Sequence, residues 1–114
     1  MVESSIRMVD PAIIAKVKEY LRTLSHSGLS VAFGVIFGSH ATGQANALSD
    51  IDLIVVSPQF DGKISRDIIN KLWHIAARTD SRIEPIPCGQ QQWQQDNRDA
   101  VIEIARNEGT TIAV

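Results

Sequence analysis

The chain of 114 residues has one cysteine, one tyrosine, two tryptophans and no run of basic residues, and these scarcities exclude whole classes of function. Cys88 has no second thiol to pair with, so no internal disulfide forms and a reducing cytosol suits the chain. Eleven Lys and Arg against thirteen Asp and Glu leave a net charge of −2. Binding along a phosphate backbone needs clustered Lys and Arg, so no direct nucleic-acid track is expected. No segment approaches the roughly 18 uninterrupted apolar residues of a membrane-spanning helix, and Met1-Val2-Glu3-Ser4-Ser5 does not open a basic and then apolar leader. The expectation is a cytoplasmic protein with no membrane contact.

What is present is the composition of a globular chain, 44% apolar and 21% charged. Residues 1–114 read as one domain. A chain of this size buries roughly two-thirds of its unfolded surface, enough for a two-layer core but not for a second lobe. An extended substrate would therefore need a wall supplied by another molecule.

Asp10-Pro11 predicts a helix start, and Ile13, Ile14, Val17, Leu21 and Leu24 repeat at helical spacing until Gly28. Ser30 to Phe37 predicts a buried strand that runs into Gly38-Ser39. Residues 38–49, with Gly38, Gly43 and Asn46, predict a connection containing at most one helical turn. Ile51 to Val56 predicts a second strand, ended by Ser57-Pro58 and Asp61-Gly62. Ile64, Ile68, Leu72, Ile75 and Ala76 form the apolar stripe of the next helix. Ile83 to Cys88 predicts a third strand, at an edge or irregular because Pro85 and Pro87 each lack a ladder donor. The glutamines from Gln90 to Gln95 suggest a surface loop or helical turn. A last helix is expected from near Asp96 or Asn97, with Val101, Ile102 and Ala105 inward, stopping at Gly109 before a short strand over residues 110–114. This order predicts an α/β or α+β fold, a small mixed sheet flanked by helices.

Two short motifs carry the chemistry. Asp50 and Asp52 bracket Ile51 at the mouth of a strand, where alternation puts both carboxylates on one face with Cα atoms roughly 6.6 Å apart, a spacing at which they can share metal ions. Taken alone, an Asp-x-Asp can also be a pair of solvated turn residues. Gly38-Ser39 follows the preceding strand directly, and a glycine there lets a phosphate approach the backbone while Ser39 offers a hydroxyl and an N–H. Taken alone, Gly-Ser can be a plain turn.

Together, ten residues apart and each attached to an apolar strand, the two motifs resemble the DNA polymerase β-like nucleotidyltransferases. The segment from Val35 to Val56, VIFGSHATGQANALSDIDLIVV, is similar to the minimal nucleotidyltransferase (MNT) domains, as is the ending Glu108-Gly109-Thr110-Thr111-Ile112. The resemblance implies the polymerase β-like fold and a third carboxylate on a neighbouring strand. Glu84 stands at the matching place, with Asp80 as its competitor. It implies catalytic, metal-holding Asp50, Asp52 and Glu84, and nucleotide-binding Gly38 and Ser39. Two Mg²⁺ ions about 3.5–4 Å apart would serve a nucleoside triphosphate substrate. The implied reaction is attack of an acceptor hydroxyl on the α-phosphate, moving a nucleoside monophosphate, AMP from ATP, with pyrophosphate leaving.

The acceptor implied by the resemblance is a helical HEPN-type partner protein, as in toxin–antitoxin pairs, and homo-oligomerisation is compatible with it. Where the family often carries basic residues after Gly-Ser, this chain has His40 and Thr42, which weakens the expectation of triphosphate affinity. His40 reads either as a phosphate contact or as a solvated loop residue. A second reading makes the chain a non-catalytic antitoxin that neutralises such a partner by contact, and a third makes it an antibiotic-modifying enzyme, which usually requires an added helical domain. His26 and His74 are not expected to be ligands, and Trp73 and Trp93 read as core or interface residues.

Overall fold

In the computed structural model, residues 9–95 and 99–114 are described. The reading of the first five residues and the helix start expected at Asp96 or Asn97 lie outside them. The elements are α1 (Pro11–His26), β1 (Phe33–Phe37), α2 (Ser39–Thr42), β2 (Ile51–Ser57), a 3₁₀ turn (Pro58–Phe60), α3 (Arg66–Thr79), β3 (Ile83–Gly89), α4 (Gln90–Gln95), α5 (Ala100–Glu108) and β4 (Thr110–Ala113).

The three longer helices, α1, α3 and α5, begin where their sequence offers a side-chain cap. Asp10 accepts from Ala12 N with Pro11 in the first turn, Ser65 accepts from Ile68 N, and Asp99 accepts from Val101 N and Ile102 N. Such caps satisfy amides that have no partner inside the helix. Asp99 therefore sets the start of α5.

The sheet order is β3-β2-β1-β4. β1 pairs antiparallel with both β2 and β4, while β2 and β3 run parallel, joined by the crossover helix α3. β3 lies at an edge, as its two prolines require. β1 begins three residues later than its sequence suggested. Its partner β2 ends at Ser57, Pro58 turns the chain away, and Ala32 N reaches Val56 O at 2.8 Å as the last cross-strand bond.

Alternation along β2 divides the core. Ile51, Leu53 and Val55 pack under α1 and α3 with Val17, Leu21, Leu24 and Leu72, while Ile54 and Val56 meet Val35, Phe37, Ile102 and Ala105 on the other face. Each fully buried Leu or Ile contributes about 1.5–3 kcal/mol. Tyr20 joins α1 to α3 by donating its hydroxyl to Leu72 O at 2.9 Å, and its burial pushes the phenol far above its ordinary pKa. Val101, expected to point inward, is 38% exposed beside the exposed Ile104. On α5 only Ile102 and Ala105 are buried, so its apolar stripe is one position narrower than the periodicity suggests. Trp73 is also largely exposed, whereas Trp93 packs edge-on against Phe33 with Arg106 over its ring.

Candidate active site

β2 carries Asp52 as its second residue, with Asp50 immediately before it, and β3 carries Glu84 as its second residue. The parallel register sets Asp52 directly beside Glu84, and the antiparallel register sets it opposite Phe37, the residue before Gly38-Ser39. Strand parity puts Asp52 and Glu84 on the α5 side of the sheet, with Ile54, Ile86 and Cys88, while Ile51 and Ile83 anchor the same strand ends from the α1 and α3 side.

Gly38 closes this arrangement. Its φ of +75° and ψ of −150° lie where essentially only glycine is comfortable. A β-carbon built on it would stand 2.5 Å from Asp52 Oδ2. The backbone thus runs against the carboxylate itself. Its carbonyl accepts from Ala41 N at 3.0 Å and Thr42 N at 3.2 Å, coiling residues 39–42 into α2, and Gly43 ends that turn in the left-handed conformation.

The acids interact as neighbours of like charge must. Burial raises the pKa of Asp52, Asp50 raises it further, and His40 partly offsets both. Glu84 is raised first by a hydrogen bond shared with Asp50, then by burial and by the charges of Asp50 and Asp52. Like charges gathered this closely favour binding a cation between them. Among the described residues, no group of three His, Cys, Asp or Glu side chains closes into a ready-made metal cage. An open set of carboxylates nevertheless suits Mg²⁺, which is commonly held by one or two of them and completed by water and substrate phosphates.

Asp80, the competitor of Glu84, is engaged elsewhere. Its carboxylate accepts from Arg82 Nε at 3.0 Å and Arg82 Nη2 at 2.7 Å, and the guanidinium hydrogen bonds hold its pKa down at about 2. Arg82 also donates from Nη1 to Ala47 O at 3.2 Å, pinning the connection that leads into Asp50. Sequence reasoning missed this role. The Asp-x-Arg spacing was its signal, but Ala47 offers only a backbone carbonyl and no side chain that could announce the contact.

His40 is not the solvated loop residue of one reading, being 6% exposed. Its Nε2–H donates to Ser49 O at 3.1 Å, from α2 to the residue before Asp50. A cavity of about 310 Å³ lies behind this connection, lined by Asp10, Ile13, His40, Asn46 and Arg82 among others, and none of the three clustered acids lines it.

Residues 14–107 match the family model described as a nucleotidyltransferase domain. No curated protein matches the chain significantly. Among solved structures, a Sulfolobus solfataricus protein described as a nucleotidyltransferase is 20% identical, with 96% of this chain and 83% of that chain covered at a TM-score of 0.60. A toxin–antitoxin structure with AMP-PNP is 17% identical, covering 87% of this chain and 71% of that one at a TM-score of 0.59. A mutant of the toxin–antitoxin MntA–HpeT is 15% identical with the same coverage, 87% and 71%, at a TM-score of 0.57. At these identities the likeness is one of fold, and it covers the mixed four-stranded sheet and its helices.

Proposed function

Since the chain belongs to the nucleotidyltransferase-domain family, we propose that it transfers a nucleoside monophosphate, AMP from ATP, to a hydroxyl of a helical HEPN-type partner protein, acting as an MNT-type antitoxin. The observation that carries this reading is the meeting of Asp50, Asp52 and Glu84 at adjacent strand ends, with Gly38 held against Asp52. The toxin–antitoxin neighbours, one bearing AMP-PNP, support the choice of nucleotide and of a protein acceptor.

In this mechanism Asp50, Asp52 and Glu84 would hold Mg²⁺. When bound, the metal neutralises triphosphate charge and lowers the pKa of the attacking hydroxyl. Gly38 N–H and the Ser39 hydroxyl orient the β- and γ-phosphates, so that pyrophosphate departs in line as the acceptor oxygen bonds to the α-phosphorus. Glu84, beside Asp52 on the neighbouring strand, would take up the proton of that hydroxyl as general base. The cytoplasm supplies both the nucleotide and the reducing conditions that suit Cys88.

A contact-only antitoxin is the alternative, favoured by the exposed apolar side chains Ile69 and Trp73 on α3 and Val101 and Ile104 on α5, which offer docking area without chemistry. Mass spectrometry of the co-expressed partner after incubation with ATP and Mg²⁺ separates the two. The transferase reading expects the partner to gain the mass of AMP, and a tight complex with an unmodified partner would replace it with the contact reading.

A further inference from the structure

We propose that His40 is a positioning residue that sets the metal-binding carboxylates against the phosphate-binding turn, acting through Ser49 rather than by touching phosphate. This rests on the nucleotidyltransferase reading above. His40 follows Ser39 inside α2, and Ser49 precedes Asp50, so the 3.1 Å bond from Nε2 to Ser49 O spans the two ends of the connection that separates the motifs. The ring is 6% exposed and lines the cavity with Ile13 of α1, behind the sheet face that bears Asp52 and Glu84.

The rest of the connection has its own ties, with Gln44 N bonding to Ser39 O at 3.0 Å and Leu48 N to Asn46 Oδ1 at 2.8 Å. Asn46 and Ser49 bond to each other, with Asn46 N to Ser49 Oγ at 3.0 Å and Ser49 N to Asn46 O at 3.1 Å, and Arg82 holds Ala47 O. Those contacts shape the turn over residues 46–49 and fasten it to Arg82, just before β3; the Arg82 carbonyl also accepts from Ile51 N at 2.7 Å. His40 fastens the residue next to Asp50 to α2. Gly38 sets the same spacing from the other side through its close approach to Asp52. A loose Ser49 would let Asp50 drift relative to Ser39, and a displacement of about 1 Å is enough to weaken a catalytic constellation strongly. A neutral donor of similar reach should do as well as imidazole, because the acceptor is a carbonyl.

The test compares His40→Ala with His40→Gln, whose side-chain amide can donate to Ser49 O. ATP binding by calorimetry, with and without Mg²⁺, gives a readout independent of transfer. His40→Ala should weaken Mg²⁺-dependent ATP binding about 10-fold, as loss of a ligand-orienting contact does, with metal-free ATP binding unchanged and His40→Gln within about 2-fold of the unmutated chain. In transfer assays the Ala variant should show a KM for ATP raised about 10-fold together with a lower kcat, both recovering in His40→Gln. If His40→Gln fails as badly as His40→Ala, or if metal-free ATP binding falls in parallel, His40 contacts phosphate and the proposal is overturned. An unmutated chain without any Mg²⁺-dependent ATP binding would sink the transferase reading instead. The positioning tie then stands or falls on amide hydrogen exchange over residues 44–51, which should quicken in His40→Ala and recover in His40→Gln; unchanged exchange overturns it.

Discussion

Gly38 and Asp52 are packed so closely that any side chain at position 38 would collide with the carboxylate, a β-carbon standing 2.5 Å from Oδ2. The positive φ of Gly38 adds backbone strain to that collision. Gly38→Ala is therefore expected to cost about 1–3 kcal/mol of stability and to displace Asp52, lowering transfer by about 100-fold or more. Thermal unfolding and single-turnover transfer check both parts. A variant that keeps its melting temperature and its rate would show that the close approach is incidental.

The Asp80–Arg82 pair gives a pH signature. The folded-state pKa of Asp80 is lowered from 3.8 to about 2 by Arg82, so the pair stabilises the fold fully above the ordinary value and loses that contribution as pH falls through the folded one. Asp80 is 11% exposed and Arg82 31%, and solvent screening brings the expected contribution to about 1 kcal/mol. Asp80→Ala should lower stability by that amount at neutral pH, and the gap should close between about pH 4 and pH 2. Urea titrations of both proteins across this range measure it. A pH-independent difference would mean that Asp80 acts through packing.

Thr110 presents a buried hydroxyl, Oγ1, with no hydrogen-bond partner among the described residues. It opens β4 opposite Ile36. Thr110→Val keeps the shape and removes the unsatisfied group, so it should be neutral or raise stability by about 1 kcal/mol. Chemical denaturation checks the sign. A loss of more than about 1 kcal/mol would reveal an ordered water or partner for the hydroxyl.

Tyr20→Phe removes the bond to Leu72 O that ties α1 to α3. A cost of about 1 kcal/mol is expected, since Leu72 O then loses its side-chain donor in a dry interface. Activity should be unchanged, because α1 and α3 pack on the sheet face away from Asp52 and Glu84. A selective loss of activity would instead link this interface to the carboxylates.

Much of the fold was legible because local chemistry and tertiary demands agree. Asp10-Pro11 starts a helix by itself, the apolar run of β2 suits a strand covered on both faces, and Pro85 and Pro87 allow β3 only at an edge. The strand at Ser30 was over-extended because pairing depends on where β2 turns away, which propensity at Ser30 cannot register. Val101 was placed inward because it lies next to Ile102 in an apolar run, but a nine-residue helix covering one corner of a sheet has room for only a narrow stripe. At the candidate site, Gly38, Asp50 and Asp52 stand out because their spacing on two apolar strands carries the family resemblance. The pairing of Asp52 with Glu84 needed the parallel register, and the tie between His40 and Ser49 is invisible because its acceptor is a backbone carbonyl.

The central claim is that Asp50, Asp52 and Glu84 form one metal-dependent site, and Asp52→Asn tests it most directly in a thermal scan with and without Mg²⁺ and ATP. The raised pKa values of Asp52 and Glu84 mean that the folded state binds more protons than the unfolded one just above the ordinary carboxylate range, so ionising these groups as pH rises weakens the metal-free fold. Removing one charge relieves that repulsion. Asp52→Asn should therefore melt at the same temperature as the unmutated chain or higher without ligand. The unmutated chain should gain about 2.7 kcal/mol when Mg²⁺ and ATP stand at a hundred times the dissociation constant, and the variant should gain almost nothing. A variant that melts lower without ligand and still shows the full Mg²⁺ and ATP shift would contradict the account.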